Sequence, residues 1–187
     1  MHIPLTLLHR LALRRPIKQI FVGSDTKPYI ERFFLYERNG WTYYLHRMLG
    51  PDPDRDLHNH PWKYAYSRVL YGSYIERRLD FGFQRRKIEH IPATVINTIR
   101  GYYYYNAVGA SNVLGEHTWH TIVEVKEPET WTLFWHSEWF RPWGFLTEKG
   151  WEAGTKKTEL DAKEGDFWYK KDDCKIGKEV MYGYGSR

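Results

Sequence analysis

The stretch DRDLHNHPWKYAYSRVLYG, residues 54–72, places two histidines one residue apart in front of a run of strand-forming residues. In a β-strand, residues two positions apart point to the same face of the sheet. A strand that includes His58 and His60 therefore holds two imidazoles side by side, with Asp56 in the same row. Paired imidazoles of this kind are typical of a metal site, which needs a further ligand from another strand.

Segments of strand character continue on both sides of this stretch, with turn signals between them. Asn39-Gly40 separates two aromatic runs and predicts a two-residue hairpin turn. We predict strands at residues 17–22, 29–37, 41–49, 58–70, 74–79, 85–88, 94–99, 102–106, 118–126 and 130–136, and a loop at residues 108–115. Many short strands with no long helical pattern between them predict an all-β antiparallel sandwich or barrel.

The two ends of the chain depart from this pattern. Leu5, Leu8 and Leu11 fall at helical spacing and Pro16 follows them, which predicts a short amphipathic helix packed on the body. The last residues mix lysines with acidic residues and have little apolar periodicity, which indicates an irregular tail. The predicted organisation is a helical arm at residues 1–16, a β-barrel at 17–153 and a tail at 154–187.

Composition limits the function classes. The 187 residues carry 28 Lys and Arg against 23 Asp and Glu, a net charge of +5 that permits an anionic ligand such as a nucleotide without indicating nucleic-acid binding. No apolar run reaches the ~18–20 residues of a membrane span. The single cysteine, Cys174, excludes an intrachain disulfide framework, and we expect a cytoplasmic protein.

A second histidine pair lies in GEHTWHTIVEV, residues 115–125. On a regular strand His120 and Glu124 share one face, and His117 lies on the other. Only one of the two histidines can then join His58 and His60, and His120 is the better candidate.

These residues resemble the motifs of the cupin superfamily. Its first motif runs Gly, a spacer, His-x-His, four residues, Glu, six residues, Gly, and here Gly50, His58, His60 and Gly72 follow that order. Ala65 stands where the family usually has glutamate. The family's second motif supplies one histidine after a glycine-containing turn, and His120 matches that position.

The segment from about residue 29 to residue 151 is similar to a set of uncharacterised bacterial and phage cupins. The matching residues are Leu45-His46-Arg47, His58 to Trp62, Trp131-Thr132-Leu133, Trp143-Gly144-Phe145 and Gly150-Trp151. The resemblance implies a cupin-type double-stranded β-helix, that is, a jelly-roll barrel, and a homodimer.

The resemblance also implies a mononuclear metal site of three histidines, His58, His60 and His120, with the other coordination positions open. His117 in place of His120, or Asp56 as an added carboxylate, are alternatives. Three neutral imidazoles suit Fe(II) first, with Mn(II), Ni(II), Cu(II) or Zn(II) as alternatives.

Three functions fit such a site. The first is an Fe(II)-dependent, dioxygenase-type oxidoreductase acting on a small polar molecule, and the second is a metal-dependent isomerase or epimerase of a sugar or keto acid. The third is a non-catalytic protein that binds a nucleotide or a sugar. For proton transfer we predict Glu124, on the face of His120, and His46, with Glu76 as a further candidate.

Overall fold

The computed structural model describes residues 3–15, 17–21, 28–52, 56–80, 102–126, 128–147 and 150–154. This part of the chain forms one helix and twelve strands. They are α1 (Leu5–Ala12), β1 (Ile17–Phe21), β2 (Pro28–Arg38), β3 (Trp41–Met48), β4 (Leu57–His58), β5 (Tyr64–Tyr71), β6 (Ser73–Asp80), β7 (Tyr102–Ala107), β8 (Ser111–Gly115), β9 (Thr118–Val125), β10 (Thr130–His136), β11 (Gly144–Thr147) and β12 (Gly150–Ala153). The prediction of an all-β fold with a short N-terminal helix is confirmed.

The strands form two antiparallel six-stranded sheets, and their order is that of a jelly roll. The first sheet runs β1-β2-β3-β10-β5-β8 and the second runs β12-β11-β4-β9-β6-β7. The successive strands β3 to β6 pair with β10 to β7 in reverse order, so the chain behaves as one long hairpin wound around a barrel. The predicted jelly roll is therefore confirmed by the strand order itself.

The hairpin between β2 and β3 follows directly from the sequence. Arg38 pairs with Trp41, leaving Asn39 and Gly40 as a two-residue loop. Both loop residues have positive φ, 52° and 74°. Asparagine and glycine tolerate this conformation, and the resulting turn matches the twist of the flanking strands.

Helix α1 packs against the outer face of the first sheet. Leu8, which is fully buried, and Ala12 join Phe33, Leu45 and Trp131 in one hydrophobic cluster. Burial of a leucine side chain stabilises the fold by roughly 1.5–3 kcal/mol. The predicted docking of an amphipathic helix on the barrel is confirmed.

A buried glutamate ties the helix to the sheet beneath it. Glu129 accepts a hydrogen bond from the Trp131 indole at 3.0 Å, lies 2.7 Å from His9 Nε2, and pairs with Arg47. Arg47 also bonds to Glu31 at 3.1 Å. Because buried carboxylates need such partners, the network fixes the position of α1.

Two predicted segments are wrong. The single strand expected over residues 58–70 is two strands, because β4 ends at His58 and β5 begins at Tyr64, with Pro61 between them. Proline has no N–H for the sheet and interrupts the ladder. The loop expected at residues 108–115 contains β8, where Leu114 is buried and Val113 is exposed.

Other predictions fall outside the described residues. These are the strands at 85–88 and 94–99 and almost all of the tail. The division into residues 1–16, 17–153 and 154–187 stays a prediction. Among the described residues, no helix has both the length and the apolar character needed to cross a membrane.

Candidate metal centre

The two sheets enclose a cavity of about 280 Å³. Its walls are largely apolar and aromatic, with polar groups gathered in a few places. The second sheet and the connection that follows β4 bring His58, His60 and His120 to this cavity. The structure therefore places all three predicted ligands in one internal space.

Strand pairing places two of these imidazoles together. His58 of β4 and His120 of β9 are register partners, and their ring centroids lie 4.9 Å apart. His60 comes from the irregular connection after β4, and its Nε2 lies 2.7 Å from Nε2 of His120. One nitrogen from each of the three rings lies within 4.8 Å of the others. Metal–imidazole bonds of about 2.0–2.1 Å put ligand nitrogens about 3 Å apart, so small side-chain adjustments admit an ion.

A buried carboxylate orients one of the three rings. Glu76 is 1% exposed, and its Oε1 lies 2.7 Å from His120 Nδ1. Its other oxygen accepts hydrogen bonds from Asn112 at 2.8 Å and from Asn106 at 3.4 Å. With the proton on Nδ1 donated to the carboxylate, the lone pair of His120 lies on Nε2, the atom that faces His60.

His60 is held in the form that a metal requires. Burial lowers the pKa of His60 well below its usual value, and the nearby His120, His58 and Arg32 lower it further. The ring is therefore neutral near pH 7, and neutral imidazole is the ligating form. Trp62 stacks on it with a centroid distance of 4.9 Å, which fixes its plane.

The alternative ligands lie elsewhere. His117 is largely exposed and lies 3.3 Å from Glu116. Asp56 is not part of the metal-competent group found among the described residues. Ala65 is fully buried in the core opposite Leu114 and has no donor atom.

The face predicted for Glu124 needs correction. Glu124 is exposed, lies 2.6 Å from Lys126 and is not a cavity residue. The pairing of β9 with β6 shifts between Ile75 and Glu76, so that one extra residue, Val123, enters β9. A bulge of this kind reverses the alternation of side chains. Glu124 thus points away from the face of His120.

His46, the other predicted catalytic residue, does line the cavity. Arg32 donates a hydrogen bond from Nε to His46 Nε2 at 3.0 Å, and Phe134 stacks on the ring at 4.5 Å. Burial lowers the pKa of His46 well below its usual value, and Arg32 and His136 add to the effect. His46 is therefore neutral and accepts the bond from Arg32.

No protein-family model and no curated protein matches this chain. Solved structures do resemble it. Hydroxypropylphosphonic acid epoxidase from S. wedmorenis is 16% identical with a TM-score of 0.44, covering 67% of this chain and 56% of the epoxidase. A putative mannose-6-phosphate isomerase from Ralstonia eutropha JMP134 is 15% identical with a TM-score of 0.43, covering 62% and 90%. The chain thus spans a little over half the length of the epoxidase. These similarities reach no further than the fold, which the strand order establishes independently.

Proposed function

We propose that this chain binds one divalent transition metal through His58, His60 and His120 and uses it to oxidise a small polar molecule with dioxygen. The observation that carries the proposal is the convergence of three imidazole nitrogens within 4.8 Å inside a cavity. The ring of His120 is also oriented by the buried carboxylate of Glu76. Carboxylate–histidine–metal arrangements of this kind recur in metalloproteins.

The donor set fits a transition metal. Three neutral nitrogen ligands with open positions favour Fe(II) and also accept Mn(II), Ni(II), Cu(II) or Zn(II). When bound, such an ion supplies Lewis acidity and, in the case of iron, the one-electron chemistry that dioxygen requires.

Aromatic and acidic residues pack around the three histidines and restrict their movement. Trp62 covers His60, and Phe145 lies 5.7 Å from the ring of His58. Glu76 holds the proton of His120 on Nδ1.

A metal-dependent isomerase or epimerase of a sugar or keto acid is the second candidate. It requires a proton-transfer group beside the substrate, and His46 is a neutral imidazole that lines the same cavity. Glu124 does not serve this role in the proposal because it is exposed. The cytoplasmic location, the homodimer and a nucleotide ligand stay predictions.

The test begins with metal content. Full-length protein purified without chelator should carry about one equivalent of metal, as expected for a mononuclear site. H58A and H120A should lose it, whereas H117A, the matched exposed histidine nearby, should retain it. Retention of metal by H58A and H120A would refute the proposed site.

The reaction is tested with the metal-loaded protein. Substrate-dependent oxygen consumption supports the oxidoreductase. Exchange of substrate hydrogen with solvent deuterium without oxygen uptake supports the isomerase instead. A folded protein that takes up no metal under any condition would favour a non-catalytic binding protein.

A further inference from the structure

A polar row crosses the wall of the cavity formed by the first sheet. Lys18 of β1 pairs with Arg32 of β2, Arg32 pairs with His46 of β3, and His46 pairs with Thr132 of β10. All four residues line the cavity. The row contains two cations at neighbouring positions of adjacent strands.

The neighbouring rows of the same wall are apolar. Ile20, Ile30 and Met48 form the next row on one side and line the cavity as well. Phe134 lies on the other side of the polar row. Lys18 and Arg32 thus place two cationic side chains on a wall whose neighbouring rows are apolar.

The Arg32 guanidinium is held in place. Its Nε donates to His46, and its carbon lies 5.4 Å from the ring centre of Tyr44, 5.6 Å from that of Phe134 and 5.8 Å from that of Trp62. Contacts with aromatic faces and a fixed hydrogen bond reduce the entropy lost when an arginine binds an anion.

We propose that Lys18 and Arg32 form an oxyanion subsite that binds a carboxylate or phosphate-type group of the cavity's ligand. Guanidinium and ammonium groups placed side by side recognise oxyanions through charge-assisted hydrogen bonds. The subsite lies close to the three histidines, because Arg32 and His60 both contact the ring of Trp62. The substrate is then a small organic acid or a phosphorylated compound, a conclusion that rests on the proposed function.

The experiment measures binding of inorganic phosphate and of acetate to the full-length, metal-loaded protein by isothermal titration calorimetry at constant ionic strength. We expect saturable binding at one site. R32Q should weaken it roughly tenfold or more, because a charged hydrogen-bonding partner is lost. The anion affinity of R32K should lie between those of the wild type and R32Q, because lysine keeps the positive charge but lacks the planar guanidinium group. The matched control is R68Q, which removes an exposed arginine from the outer face of β5.

A second readout guards against a folding defect. K18Q should weaken anion binding while the protein stays folded, with a cooperative melting transition in the absence of anion. A purely structural role for Lys18 predicts a lower melting temperature with unchanged anion affinity. Preference for phosphate over acetate indicates a phosphorylated substrate, and the reverse indicates a carboxylic acid.

The outcomes separate this inference from the proposed function. Arg32-dependent anion binding that persists in H58A supports the subsite even if the metal site fails. Loss of anion binding in H58A but not in R32Q would show that the anion binds the metal, and would overturn the subsite. Equal binding by R32Q and R68Q, or no saturable binding of either anion, would overturn it while leaving the metal data untouched.

Discussion

Replacing Glu76 with glutamine tests how the buried carboxylate controls the metal centre. Glutamine keeps the size of the side chain but has only one oxygen. The amide of Asn112 donates both to Glu76 and to the Tyr74 hydroxyl at 2.8 Å, which fixes its orientation. The oxygen of the new amide should therefore face Asn112, and its NH2 group should face His120.

That orientation reverses the tautomer of His120. Nδ1 must now accept a hydrogen bond, so the proton moves to Nε2, the atom that faces His60 at 2.7 Å. Metal binding at Nε2 then requires this proton to return to Nδ1, where it meets the amide NH2 group and not a carboxylate. Removal of such a partner typically lowers metal affinity by about 10–100-fold. This corresponds to about 1.4–2.8 kcal/mol, within the range of a hydrogen bond to a charged group.

Affinity can be measured by competition with a chromophoric chelator on full-length protein. The control is E116Q, because Glu116 lies 3.3 Å from His117 and forms the same kind of pair on the surface. We expect metal affinity in E116Q to equal that of the wild type. If E76Q also binds metal as tightly as the wild type while H120A does not bind it, Glu76 does not control the tautomer of His120.

Two further predictions concern stability. Gly72 has φ of 74°, and a Cβ there would lie 2.7 Å from the Glu129 carbonyl oxygen. G72A should therefore lower the free energy of unfolding, measured by denaturant titration, by at least about 1–2 kcal/mol. An unchanged midpoint of unfolding would contradict this. Burial raises the pKa of Glu129, but hydrogen bonds from Trp131, His9 and Arg47 outweigh it and leave the pKa below its usual value of 4.5. A carboxyl group whose pKa is lowered in the folded state stabilises the fold at pH values above its usual pKa. This stabilisation is lost as the pH falls through the lowered pKa. E129Q should therefore have a melting temperature about 2–8 °C lower than the wild type at neutral pH, and this temperature should change less with pH below about 4.5. An equal change of melting temperature with pH in both proteins would contradict this.

Local patterns in the sequence predicted much of the fold. The hairpin at Asn39-Gly40 and the alternating aromatic strands around it are encoded by neighbouring residues. The sequence does not predict β8 because it begins with Ser111 and Asn112, which favour turns, and only pairing with β5 makes them a strand. The β-strand propensity of individual residues does not predict such long-range pairing, because the pairing depends on tertiary contacts.

The candidate site was predictable to a similar extent. The spacing of His58 and His60 predicts that their two imidazoles lie close together, and the structure brings His120 to them. Glu124 was assigned to the wrong face because a single-residue bulge in β9 depends on the register with β6, which no local signal reveals. Arg32 was overlooked because a charged residue in an alternating strand usually faces solvent, whereas here it faces the cavity.

The pairing of β4 with β9 has a consequence for how the molecule assembles. These strands meet at one register position, His58 opposite His120, so few backbone hydrogen bonds join segments that are far apart in the chain. Contacts of this kind form late because the long loop between them must close first. A bound ion would act there as a cross-link, and amide hydrogens near residue 58 should exchange with solvent more slowly once the protein is loaded. Metal binding would thus stabilise this junction of the barrel more than the strand pairs that share many register positions.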